Sequence, residues 1–266
     1  KKNFNFNKVG HSGTLDPNAD GLMLLATDSY TKLFDYIENT DKTYKATAIL
    51  GYSSPTLDVD SDLIFHENIN AVSFTKDIEN FLGNLVGESF QTPPIYSAIK
   101  VKGKRLYKYA RQNQEVDIPV RKIIVDNTEL LSVESNKVTF QITVSKGTYI
   151  RSIVQELGKS LNTVAIVEKL TRTSIGNLDI NHSKVNKNIE IMDYKSNLQS
   201  LDWKEVINLP ILEINQELLK SVQHGQLILS SMFSNKEKYI LSINNDVVAI
   251  YKPFNEKYFK PDKVLL

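Results

Sequence analysis

The chain has 266 residues, 41% of them hydrophobic and 24% charged, with a net charge of +1, four histidines and no cysteine. That length accommodates one large domain or two smaller ones with a substantial core, while the missing cysteines exclude disulfides, thiolate catalysis and cysteine-zinc sites. The histidines are scattered rather than grouped as metal ligands, so metal-independent chemistry is expected, and a near-neutral chain must confine any polyanion-binding surface to a local patch.

No apolar run approaches the roughly 20 residues that span a bilayer, and the opening KKNFNFNK lacks the apolar stretch of a signal peptide. A cytoplasmic setting without membrane contact is the expectation. After a glycine-containing loop, LMLLAT (22–27) reads as a buried strand, and SYTKLFDYIEN (29–39) carries apolar residues at helical spacing. KTYKATAILGY (42–52) is β-rich and partly alternating, and 53–72 is polar and loop-like. FTKDIENFLGNLVG (74–87) predicts a short amphipathic helix closed by its glycine, after which QTPP breaks the chain. RKIIVDNTELLSVE (121–134) and KVTFQITVSKG (137–147) predict two strands joined as a hairpin around Ser135 and Asn136, and TYIRSIVQELGKSL predicts a helix with Gly158 late in it. From about residue 208 the pattern shifts to short strands, YILSI and VVAIYK, split by an Asn-Asn-Asp turn. Strands interrupted by helices without regular alternation predict an α+β fold on a mixed, mostly antiparallel sheet with flanking helices, followed by a small C-terminal β module.

Four stretches could carry chemistry. In HSGTLDPNADG (11–21), Gly13 and Gly21 free the backbone and Pro17 stiffens the chain after Asp16, presenting one carboxylate from a turn of small residues; a capping or Asx-turn aspartate is the alternative. In SKGTYIR (145–151), Tyr149 and Arg151 stand at a strand-to-helix junction, where they could face a pocket or be a core tyrosine and a solvated arginine. YSAIKVKGKRLYKYARQ (96–112) holds Lys100, Lys102, Lys104, Arg105, Lys108 and Arg111 with no acid, interleaved with Tyr96, Tyr107 and Tyr109. Cations suit phosphates and rings suit unstacked bases, so this stretch points to nucleic acid, against the alternative of a solvated helix face. LDVDSDL (57–63) superficially suggests a calcium loop, but Leu63 and Ile69 stand where that loop needs glycine and glutamate.

Together GHSGTLDPNADGLMLLATDSYTK (10–32), DKTYKA (41–46), QTPPIYSAIKVKGKRLYKYAR (91–111), SKGTYIRSIVQELGKSL (145–161) and EKLTR (168–172) resemble, in order and spacing, the TruB-type tRNA pseudouridine synthases. The resemblance implies isomerisation of uridine 55 in the T loop of tRNA, by a monomer that uses neither cofactor nor metal. It implies Asp16 as the catalytic carboxylate, acting at the sugar carbon or on the C2′ proton, with Arg151 keeping it ionised and oriented. Tyr44 would stack on the target base and take the C5 proton, Tyr149 and Leu170 would line the uracil pocket, and His11 would brace the site of the extruded nucleotide. The basic residues from Lys100 to Arg111 would belong to a thumb-like insertion, about 92–120, gripping the T arm.

By the same resemblance residues 1–207 form the catalytic domain and 208–266 a PUA-like RNA-binding module. The family's first strand, with its Lys-Pro motif, is expected ahead of residue 1. Pro55, Ser61, Ile166 and Thr171 replace residues common in the family. Three alternatives accompany this reading. A guide-RNA-dependent relative would lack the basic insertion, and an RNA-binding or RNA-chaperone protein with an impaired centre would not need Asp16, Tyr44, Tyr149 and Arg151 together. An aspartyl-nucleophile hydrolase would need a metal-binding acidic cluster, and the sequence places none beside Asp16.

Overall fold

The computed structural model describes residues 6–37, 40–181 and 201–266, which divide into two compact units. The first comprises residues 13–23 and 40–181 and is built on a seven-stranded sheet. Its central strand, Lys42–Leu50, buries Ala46, Ala48 and Leu50 on one face, while Thr43 and Thr47 on the other bond Thr143 and Thr139 across the ladder. This alternation is the period-two signature of a strand with one face on the core. Lys137–Val144 pairs with one side of it and leads outward to Arg121–Glu134 and the edge strand Gly87–Gln91; Ala165–Ile175 pairs with the other side and leads to Leu178–Asp179. All of these neighbours run antiparallel; Ala19–Gly21 alone lies parallel, alongside Ala165–Ile175. The helices Thr75–Asn84 and Ile150–Ser160 supply Ile78, Leu82, Ile150, Ile153, Val154 and Leu157 to the core over the sheet. Those spacings of three and four residues place one apolar stripe against the sheet.

The α+β fold and the hairpin across Ser135 and Asn136 match the sequence reading. Several boundaries differ. The run LMLLAT does not form one strand: it is divided between the two units after Met23, and only Leu25–Thr27 is extended, with Leu25 exposed. Residues 28–33 form a 3-10 helix and 34–37 one α-helical turn, and residues 38 and 39 lie outside the described residues. Gly87 does not close the preceding helix, which ends at Asn84 with Leu85 as its cap; with φ +112° it opens the edge strand. The strand Ala165–Ile175, which makes the most extensive pairing of the central strand, is absent from the sequence reading.

The second unit comprises residues 6–12, 24–37 and 201–266. Its five-stranded sheet runs, in spatial order, Ile211–Glu213, Tyr239–Ile243, Asp246–Pro253, Tyr258–Val264 and Ile228–Leu229, with the helix Gln216–Gln223 beside it. Phe233, Tyr239, Val248, Tyr251 and Phe259 fill the core, the rings of Phe233 and Phe259 stacking at 3.8 Å. The opening segments join this module through charge and hydroxyl contacts: Tyr36 Oη donates to Asp262 Oδ2 at 2.6 Å and Lys32 Nζ to the Val264 carbonyl at 2.6 Å. No helix among the described residues is long and apolar enough to cross a membrane.

Candidate active site

Asp16 sits on an arc, residues 13–22, whose loop leads into the strand Ala19–Gly21 of the first unit's sheet. The arc turns tightly, with Ala19 N donating to Asp16 O at 2.9 Å, then lays Ala19, Asp20 and Gly21 beside Leu170, Thr171 and Arg172. Gly21 is required there: at φ +102°, an added Cβ would lie 2.3 Å from the Arg172 carbonyl oxygen.

Arg151, the second residue of its helix, is buried and meets three loops. Its Nη2 donates to Asp16 Oδ1 at 3.0 Å, and its Nε lies 2.8 Å from Asp16 Oδ2 with the N–H out of line, so that second contact is one of charge rather than a hydrogen bond. Nη1 donates to the Thr56 carbonyl at 2.7 Å and stands 3.6 Å from Asp58 Oδ2, while Nη2 also donates to the Tyr96 carbonyl at 3.2 Å. The start of the helix is held by the buried Gln91, whose amide accepts from Tyr149 N at 2.8 Å and donates to Tyr149 O at 3.1 Å, and by Ser152 Oγ donating to Thr92 O. Arg151 therefore projects from fixed backbone.

Asp58 lies in the stretch set aside as a failed calcium loop, and it is the site residue that sequence reasoning missed. It is buried, with Oδ1 accepting from Thr56 Oγ1 at 2.5 Å and Asp60 N at 3.1 Å. The fold thus brings acids near Asp16 where the sequence reading placed none. Among the described residues, however, no three His, Asp or Glu side chains gather as a metal-holding group. The guanidinium was expected to keep Asp16 ionised. It does oppose protonation, but burial first, and then the charges of Asp58 and Asp60, push the Asp16 carboxyl above its ordinary value.

Tyr44 stands opposite Arg172 in the strand ladder, half-buried. Burial raises its hydroxyl pKa, and the Arg172 guanidinium opposes the rise. Tyr149 is the residue before the Arg151 helix, and burial raises its hydroxyl likewise. Leu170 lines a cleft with Asp16, Ala19, Asp58, Arg151 and Val167, and also packs into the core. Asp16, Arg151 and Leu170 are thus brought together, with Tyr44 and Tyr149 in the same unit. His11 lies in the second unit, on the strand Val9–His11 opposite Leu25.

The basic segment folds as a two-residue ladder, Lys100–Val101 with Lys104–Arg105, around a turn in which Lys102 and Gly103 both take positive φ, followed by the short helix Leu106–Ala110. Lys100, Lys102, Arg105, Lys108 and Arg111 are exposed. Lys104 is engaged internally: its Nζ donates to Gln112 and to Gln114 and lies 4.3 Å over the Tyr109 ring. Arg111 covers Tyr107 at 5.5 Å.

The backbone that carries this site has a known fold. The chain matches the solved structure of a Cbf5-Nop10-Gar1 complex with a TM-score of 0.68 and 23% identity, covering 100% of this chain and 78% of that one. It matches an H/ACA RNP bound to a substrate RNA containing 2′-deoxyuridine with a TM-score of 0.66 and 19% identity, over the same shares. The fold is that of the pseudouridine synthases. Sequence comparison narrows the class. A family model described as TruB family pseudouridylate synthase (N terminal domain) matches residues 1–150. Two proteins named tRNA pseudouridine synthase B are similar over nearly the whole chain. That of Mycoplasmopsis pulmonis is 37% identical over 256 residues, 96% of this chain and 88% of its own. That of Oceanobacillus iheyensis is 34% identical over 281 residues, 99% of this chain and 90% of its own. The chain belongs to the TruB family of pseudouridylate synthases.

Proposed function

We propose that this enzyme isomerises uridine 55 in the T loop of tRNA to pseudouridine, with Asp16 as its catalytic carboxylate. The observation that carries the reading is the grip of Arg151 on Asp16 in a cleft shared with Leu170; the names of the similar synthases supply tRNA as the substrate. Isomerisation breaks the N1–C1′ bond, turns the uracil while it stays bound, joins C5 to C1′ and removes the C5 proton. Asp16 attacks C1′ or takes the C2′ proton, and in either route it reacts as the carboxylate. Arg151 fixes its direction of approach. Tyr44 stacks on the base and accepts the C5 proton, and Tyr149 and Leu170 confine the ring as it turns.

A T-loop uridine is stacked and paired within folded RNA, so it must be extruded at a cost of a few kcal/mol. His11 braces the vacated position. The exposed cations of residues 100–111 grip the T-arm phosphates, and the five-stranded module acts as a PUA-like RNA-binding surface. The test is tritium release from tRNA labelled at uridine C5. Release is expected with wild-type tRNA and lost when the T-loop uridine is replaced by cytidine; equal release from both substrates would refute the site assignment.

A further inference from the structure

Arg172 is among the largest side chains fully buried in the molecule, at 1% exposure, and the reaction just described assigns it nothing. Burying a guanidinium is costly unless its donors are satisfied. Two of those donors go to the main chain of one segment, and the guanidinium also interacts with the Tyr44 hydroxyl. Nε donates to the Leu22 carbonyl at 2.7 Å and Nη2 to the Gly13 carbonyl at 3.2 Å, the two ends of the arc that carries Asp16. Its own carbonyl accepts from Leu22 N at 2.8 Å, and its backbone pairs with Gly21 so closely that only glycine fits. Across the ladder it faces Tyr44.

We infer that Arg172 is a positioning residue for catalysis: it closes the ends of the Asp16 arc, so that Arg151 holds the carboxylate while Arg172 holds the backbone behind it. Between Gly13, at φ +133°, and the paired strand Ala19–Gly21, residues 14–18 belong to no strand ladder that would fix Asp16. Charge-assisted bonds to both ends of the arc supply that rigidity. The inference rests on Asp16 being the catalytic carboxylate.

The test is Arg172→Met in the full chain, assayed by tritium release beside the wild type. We expect kcat to fall about 100-fold, as for an ångström-scale misplacement of a reacting group, with KM and Kd for tRNA within about threefold. The acid limb of the kcat profile should also move to higher pH, because Asp16 drifts from Arg151. Loss of fold alone would lower the active fraction and leave that limb in place. Arg172→Lys keeps the charge but cannot span both carbonyls, and should recover only part of kcat. A folded Met or Lys variant with wild-type kcat and an unmoved limb overturns the inference, as does failure of both variants to fold, which would make the role purely structural. An inactive wild type would sink the proposed function and this inference together, whereas an active wild type with equally active variants sinks the inference alone.

Discussion

Arg151 holds two carboxylates with one guanidinium, Asp16 at 2.8 and 3.0 Å and Asp58 at 3.6 Å. One positive charge cannot fully offset two negative ones in a desolvated site, so the acid less tied to other donors carries the excess. Asp58 accepts from Thr56 and Asp60, and Asp16, whose side chain is 37% exposed, is the acid whose protonation is eased. The arrangement leaves the Asp16 carboxylate oriented yet partly exposed.

Replacing Asp16 by asparagine keeps the shape and removes the charge. Turnover should fall to background while tRNA affinity stays within about threefold, because the cations proposed to grip phosphate lie at residues 100–111. Tritium release and filter binding on the same preparation separate the two effects. Substantial release by Asp16→Asn would show that another group does the chemistry.

The raised Asp16 pKa gives a pH dependence with a definite sign. In the proposed reaction the carboxylate is the active form, so kcat should fall as pH drops through a value above that of an ordinary aspartate, near 4. Asp58→Asn removes one of the charges that raise it, and should move the acid limb to lower pH. A limb that stays in place or moves upward in this variant would mean that Asp58 acts on Asp16 only through the pose of Arg151.

How far these relations are legible in sequence depends on the range of the contacts. The hairpin can be read because its alternation and turn are local. Asp58 cannot, because its neighbours make it a polar loop and it becomes a buried acid only when Arg151, far along the chain, reaches it. The strand Ala165–Ile175 is masked by Glu168, Lys169, Thr171 and Arg172; the last is buried where the Asp16 arc offers it carbonyls and Tyr44 faces it across the ladder. The family resemblance reaches Asp16, Tyr44, Tyr149 and Arg151 because it rests on motifs rather than on pattern. The docking of residues 24–37 on the C-terminal module has no such marker: it depends on single pairs such as Tyr36 with Asp262 and Asp35 with Lys263.

The basic segment should contribute unequally to tRNA binding. Lys102 and Arg105 are exposed, whereas Lys104 is committed to Gln112, Gln114 and the Tyr109 ring. Lys102→Ala and Arg105→Ala should each reduce the slope of log K against log salt by about 1, and Lys104→Ala by distinctly less. Equal slopes for all three variants would place Lys104 on phosphate, and unchanged slopes would remove the segment from the interface.

Gly158 permits the Arg151 helix to pack on the strand that follows it. A Cβ there would meet Ala165 N at 2.6 Å and Val164 C at 2.8 Å, both backbone atoms that cannot swing aside. Gly158→Ala should therefore destabilise the first unit by about 2 kcal/mol, the usual range for overpacking, despite alanine's better helix propensity. Thermal unfolding of the two proteins decides it, and an equal or higher melting temperature for the alanine variant would show that the helix can shift without loss.

Asp262 makes the second unit sensitive to acid. Burial pushes its carboxyl up, but hydrogen bonds from Lys252, Tyr36 and Lys238 outweigh that and hold it well below the usual carboxylate range. The geometry agrees: Lys252 Nζ lies 2.6 Å from Oδ1, with Lys238 Nζ at 3.0 Å and Tyr36 Oη at 2.6 Å from Oδ2. A depressed folded value stabilises above the ordinary aspartate pKa near 4, and the contribution disappears as pH falls from there through the folded value. Asp262→Asn should cost about 1 kcal/mol at neutral pH, since part of this cluster is solvent-screened, and should flatten the acid dependence of stability. The chain's single tryptophan, Trp203, is buried in this unit with its Nε1 donating to the Asn245 carbonyl at 2.8 Å, so its fluorescence follows the unit's unfolding. If wild type and Asp262→Asn lose stability in parallel between pH 7 and pH 3, the acid sensitivity lies in other carboxylates.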